Sequence, residues 1–284
     1  MKTYISIVFA IALFVSCQED VDFNHPELNL ANASERFEQM YLDGLEVAVQ
    51  SLDQSLRGGG GKGLILDYEF LQYQTFQHLE KNYFSLSDFN VEAFLSDKQE
   101  ARNYTNFDHN SADFLEILEM AYSSEQLTIL REFLDELFIT EDYGKVKSLA
   151  RNFQSKLKNH NLSEEEKLEL LSVGAGFYAF ADFLERGGME RIGEKLAGLA
   201  NESDYNPNLR CRVDMRAVWA GAVFTGGIGA VRGGMAGCVG GTVLFPGLGT
   251  ATGCVGGAVF GGATGFIEGA IGGVAGSLLL TCWR

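Results

Sequence analysis

Four cysteines near the C-terminus, Cys211, Cys238, Cys254 and Cys282, carry the clearest chemistry in the chain. Cys211 and Cys282, and likewise Cys238 and Cys254, lie equally far, to within a residue, from a centre at Pro246-Gly247. The segment Phe245-Pro246-Gly247-Leu248-Gly249 is a strong turn signal, because proline presets φ and glycine accepts positive φ. Four cysteines allow three pairings. In an antiparallel helical hairpin bent at Pro246 and Gly247, the symmetry selects Cys211–Cys282 and Cys238–Cys254. Without that hairpin the same residues are small buried thiols.

Residues for catalysis are not gathered in this way. His25, His78, His109 and His160 have no HExxH arrangement and no Cys or carboxylate partners at metal-ligand spacing. In Ser172-Val173-Gly174-Ala175-Gly176 the serine is misplaced for a nucleophile elbow. Arg57-Gly58-Gly59-Gly60-Gly61-Lys62-Gly63 fails as a phosphate loop: Leu56 stands where the first glycine is needed, and Gly63 where a hydroxyl must hold magnesium. It reads as a flexible linker. The chain is therefore expected to be non-enzymatic, with no catalytic residues, no metal and no cofactor. Its net charge of −16 excludes nucleic acid as a partner, since that requires a basic surface.

The elements around these residues divide by composition. Residues 18–209 hold 36 acidic against 16 basic residues, a balance of −20. From Arg210 onward there are five arginines and two acids. Residues 17–31 read as a polar tether broken by Asn24-His25-Pro26. From Asn32, a cap with Glu35 three residues on, apolar residues recur at three- and four-residue spacing through Phe37, Met40, Tyr41, Leu45, Ala48, Leu52 and Leu56. An aromatic-rich helix is expected over Leu64–Phe84. Ser123 with Gln126, and Ser163 with Glu166, are capping-box spacings, and amphipathic stripes follow them. With no sustained period-two alternation, residues 32–205 are expected to form an acidic all-α domain of about seven helices.

The tail, residues 210–284, has a different logic. Glycine occupies 249, 253, 257, 261, 265, 269 and 273, and small residues hold the same period of four through Ala217, Gly221, Thr225, Gly229, Gly233, Gly237 and Gly241. This is a glycine zipper, a smooth groove along each helix that lets two backbones touch. From Ala217 to Ser277 there are 21 glycines. Each costs roughly 1 kcal/mol relative to alanine in a water-exposed helix, whereas a bilayer forces backbone groups to bond internally. Arms near 213–244 and 251–281 would each be roughly 45 Å long, against a hydrocarbon core of about 30 Å. Arg212, Arg216, Trp219 and Trp283 gather at the open end and suit the headgroup zone. No Asp, Glu, Lys or Arg occurs between Gly233 and Ile267, so the bend is the end expected to enter a bilayer. The expected partners are a lipid bilayer and further copies of the chain, assembled through the glycine rows.

The N-terminus completes the picture. Met1-Lys2-Thr3 is a short positive segment, and Tyr4–Val15 an apolar one too short to span a bilayer comfortably. Phe14-Val15-Ser16-Cys17 resembles a bacterial lipobox, with Phe14 where that pattern prefers Leu. The resemblance implies that residues 1–16 are removed and that Cys17 is lipidated. Gln18-Glu19-Asp20 is similar to the acidic surface-export signals of Bacteroidetes lipoproteins. Lipobox and tail together resemble the glycine-zipper two-helix lipoproteins of bacterial outer membranes, such as the rickettsial surface-antigen group. That resemblance implies an outer-membrane lipoprotein, exposed at the surface, with a structural role in the envelope. The uncharged hairpin tip also looks like the hydrophobic hairpin of pore-forming colicins, and its GxxxG pairing resembles that of two-peptide bacteriocins. These imply a membrane-attacking protein with the acidic body as pro-region, chaperone or immunity module.

Overall fold

A computed structural model describes residues 29–58, 64–86, 94, 112–199, 213–238, 242–245 and 248–282. Among them the fold is all-α, with seven helices from the acidic region and two from the tail, and with two small antiparallel sheets at turns.

Local sequence explains where the helices begin. Helix α1, Ala33–Ser55, buries the stripe read from its periodicity, with Phe37, Met40, Tyr41, Leu45, Ala48 and Leu52 all in the core. The expected Asn32 cap does not form. A 3-10 turn at Leu30–Asn32 leaves Asn32 at φ −111° and ψ 8°, outside the extended conformation that aims a cap side chain back at the helix. The glycine-rich break is flanked by β1, Leu56–Gly58, and β2, Leu64–Leu66, paired in antiparallel register. The helix expected from Leu64 therefore starts later, as α2, Tyr68–Tyr83, where the Asp67 side chain accepts from the Phe70 N–H at 3.1 Å. Helix α3 spans Ala112–Ala121. Helices α4, Ser124–Leu137, and α6, Glu164–Glu185, both open in complete capping boxes, at Ser123/Gln126 and Ser163/Glu166. Between them α5, Tyr143–Leu157, is capped by Asp142. Gly187, at φ +84°, supplies the left-handed residue that ends α6 before α7, Gly188–Leu199.

The tail forms α8, Met215–Cys238, and α9, Gly253–Cys282. They are not continuous arms meeting at a bend. Strand β4, Thr242–Phe245, pairs with β5, Gly249–Thr252, and β4 also pairs with β3, Ser85–Leu86. β-Branched Thr242, Val243, Thr250 and Thr252 favour this extended tip.

Helix α9 lies at the centre of the molecule. It packs along α8 and also against α1, α2, α6 and α7, while α3 covers α8. The acidic region and the tail, distinct in composition, share one continuous hydrophobic core. Arginine forks tie the outer helices together. Arg151 of α5 donates to both carboxylate oxygens of Glu38 on α1, at 2.5 and 2.8 Å, and Arg191 of α7 to both oxygens of Glu46 on α1, at 2.8 and 2.6 Å. The Arg151–Glu38 pair, with each terminal nitrogen on its own oxygen, is bidentate and fixes geometry as well as adding energy, whereas Arg191 uses Nη1 alone.

Candidate functional site

The glycines of the period-four rows face one another within a single chain. A Cβ added at Gly229 would lie 2.1 Å from the carbonyl oxygen of Gly261, at Gly233 2.0 Å from that of Gly257, and at Gly237 2.0 Å from that of Gly253. The reverse holds at Gly257 and Gly261, each 2.1 Å from the opposing carbonyl. The row continues with Gly265 against the Thr225 carbonyl at 2.2 Å and Gly269 against the Thr225 hydroxyl and the Gly221 carbonyl. It relaxes at Gly273, where Val218 is 3.5 Å away. Only hydrogen fits at these positions, so α8 and α9 meet backbone to backbone over most of their length. The zipper surfaces expected to join separate copies are thus occupied inside the chain.

Gly249, which shares the period, does no helix packing. It sits in β5 at φ +115°, a strand glycine chosen for its backbone. Gly241, Pro246 and Gly247 lie outside the described residues. Strands β4 and β5 pair antiparallel on either side of Pro246 and Gly247, and the Leu248 N–H donates to the Phe245 carbonyl at 2.9 Å.

Cys238, the last residue of α8, and Cys254, the second of α9, are joined by a disulfide with Cα atoms 4.2 Å apart. Cys282 at the far end is also disulfide-bonded. Its expected partner Cys211 lies outside the described residues, as do Cys17, Arg212 and Trp283.

The hairpin is wrapped in aromatic side chains from the body. Phe266 of α9 meets Tyr41 of α1 and Phe177 and Phe180 of α6 edge-on. Phe260 meets Phe76 of α2, with Phe84 and Phe94. At the tip, Phe245 is held by Phe37 and Phe84. Gly44 of α1 makes room for Ile267, whose methyl group would lie 2.4 Å from an added Cβ. Backbone contacts also latch the tip. The Asn29 N–H donates to the Leu248 carbonyl at 2.7 Å, and the Thr252 N–H to the Glu165 carboxylate at 2.8 Å.

At the open end one expectation is corrected. Trp219 is not an exposed interfacial residue: it is 0% exposed, seated between Phe177 and Phe180, because the body offers it an apolar bed. Among the described residues its indole N–H has no hydrogen-bond partner. Arg216 is exposed, with a long 3.9 Å contact to Glu141. Glu268, the acid inside α9, is buried, one turn before the glycine over which the Tyr68 ring packs.

Between hairpin and body lies a small apolar cavity floored by Gly226, Gly227, Ala230 and Gly262. Its polar edge was not legible in the sequence. The Tyr41 and Ser172 hydroxyls bond at 3.0 Å across 131 residues, and Glu169 accepts from Gln126 Nε2 at 2.6 Å. Nothing here makes Ser172 a nucleophile, since the tyrosine hydroxyl beside it is a poor base. Burial pushes the Glu169 carboxyl up to about 8, with Gln126 opposing the shift. The folded state thus holds a proton that the unfolded chain releases near the ordinary carboxylate value. This contribution to stability is complete below that value and is lost as pH rises to about 8. Glu169→Gln is therefore expected to flatten the pH dependence. Between pH 5 and 8 the native protein should lose at least about 1 kcal/mol more than the variant, read from urea unfolding midpoints; parallel curves would remove the buried-acid account.

Among the described residues no group of three or more His, Cys, Asp or Glu could hold a metal ion. Comparison with protein-family models, with curated proteins and with solved structures finds no match to this chain, so the sheathed hairpin is the feature from which its function must be argued.

Proposed function

We propose that the chain is an exported lipoprotein, anchored through Cys17 in a cell envelope, that stores a membrane-inserting glycine-zipper hairpin inside its own acidic helices and acts by delivering that hairpin to a bilayer. The observation that carries this reading is α9. Gly253–Leu279 is a run of 27 residues with mean hydropathy 1.4, long and apolar enough to cross a membrane, and it sits at the heart of a body that is strongly acidic outside.

The physics of the two contacts supports it. The α8–α9 interface is backbone against backbone, and van der Waals packing of this kind works equally well in lipid. Along the two helices the contacts between hairpin and body are mainly apolar rings and aliphatic chains, which acyl chains can replace at little cost, and the polar ones gather at the tip. Leaving the body would also free the Trp219 indole N–H, unpartnered where it is now buried, to bond at a headgroup interface. Leaving lipid for water, in contrast, would expose a glycine-rich helix with poor intrinsic stability.

An alternative reading keeps the hairpin permanently as a soluble core. It is favoured by the 78% burial of the apolar stretch, as a core helix would show. A single experiment separates the readings: purified full-length protein added to dye-loaded liposomes, with and without reductant, followed by protease digestion. A protected hairpin fragment without leakage supports an envelope-scaffold role, and leakage supports membrane attack. Protection of the hairpin no greater than without vesicles, with the vesicles intact, would leave only the permanent core.

A further inference from the structure

We infer that the hairpin tip is the face this protein turns toward the same bilayer that holds its lipid, so that the hairpin is presented in cis to its own anchoring membrane. This rests on the reading of Cys17 as the lipidated residue.

The tether enters the folded body at the tip. Asn29 donates its backbone N–H to the Leu248 carbonyl, between β4 and β5. Asn29 is twelve residues beyond Cys17. Twelve residues reach roughly 40 Å at most. The tip is therefore held within that distance of the anchoring surface.

The open end is far from that point. Helix α8 runs 24 residues and α9 30 residues away from the tip, or roughly 36 and 45 Å at helical rise. Turning the open end toward the anchoring membrane would require the tether to pass along the whole body, using nearly all its extended length. The arginine-bearing end, which composition alone assigns to the headgroups, is thus held away from them. Trp219 agrees, being buried against α6 rather than displayed.

The elements gathered at the tip are also among those that must open. The Asn29–Leu248 and Thr252–Glu165 bonds, the two-residue β3–β4 pairing and the Phe37–Phe245 contact lie at the tether's root. A pull on the tether, or a headgroup competing for these backbone groups, acts first on the latch of the hairpin rather than on its distant disulfide-bonded end at Cys282.

The test places a clickable azido residue at position 252 or at position 216, two exposed sites at opposite ends, and attaches the same fluorophore to each. The full-length protein is anchored in phosphatidylcholine vesicles carrying headgroup spin labels. The anchor is either the lipid the cell adds or a maleimide-lipid coupled to the Cys17 thiol. The mass of the purified protein reports which anchor is present, so failure of native lipidation is seen separately from failure of the orientation. The dye at 252 is expected to be quenched severalfold more than the dye at 216. A glycine-serine insert of about 30 residues after Cys17 raises the maximum reach roughly threefold and should bring the two toward equality. Equal or reversed quenching with the native tether, or a ratio untouched by the insert, would overturn the inference.

Discussion

Replacing Gly257 by alanine is expected to destabilise the protein by at least about 2 kcal/mol, as typical for overpacking a rigid contact, while Gly234→Ala is neutral or stabilising. Both residues are helical glycines of the hairpin, and both changes add one methyl group. At Gly257 that methyl would lie 2.1 Å from the Gly233 carbonyl and 3.1 Å from the Gly237 Cα. Neither can yield by rotating a side chain, because both are backbone held by helical hydrogen bonds. Relief requires the two helices to separate, which also opens the contacts at Gly229–Gly261 and Gly237–Gly253. At Gly234 the nearest atoms are the Cys254 carbonyl at 3.5 Å and the Ala258 Cβ at 3.7 Å, ordinary contact distances. There the gain in helix propensity, up to about 1 kcal/mol, is free to appear. Chemical denaturation of the two variants decides it. Equal tolerance would mean that the period-four row does not set the helix spacing.

The second large effect belongs to the disulfides. Loss of Cys238–Cys254 in a Cys238→Ser/Cys254→Ser variant is expected to lower stability by about 3 kcal/mol, from a closed loop with a sequence separation of 16. The bond sits where α8 ends and α9 begins, so it pins the register that brings Gly237 against Gly253 and Gly233 against Gly257. Without it the tip sheet and the latch at Asn29 must hold that register alone. Reductant should reproduce the loss in the native protein and add the contribution of the bond at Cys282. Mass mapping of a non-reduced digest should find Cys282 linked to Cys211. A Cys254–Cys282 link would sink the hairpin, because it would join the two ends of one continuous helix. Unchanged stability of the double serine variant would show that the glycine contacts suffice to hold the register.

What could be read from the sequence was what neighbours in the chain decide. The capping boxes at Ser123 and Ser163 are settled within four residues, and so are the stripe of α1 and the turn near Pro246. The period-four glycines and the mirrored cysteines extend this to one antiparallel pair, because a repeat constrains every register at once. Two local features were obscured by neighbouring ones. The β-branched tip strands were hidden by a glycine period running on through Gly249, and Asn32 lost its cap to a preceding 3-10 turn. What only the tertiary structure decided was what surrounds the hairpin. Composition sets an uncharged tail apart from an acidic body. Yet burial is a property of the whole surface, and Phe177, Phe180 and Phe76 lie at helical positions whose outward or inward sense no local rule assigns. The Tyr41–Ser172 bond, the buried Trp219 and the meeting of Asn29 with Leu248 join residues tens to hundreds of positions apart. Such pairs form because the core closes around α9, and no spacing along the chain records them.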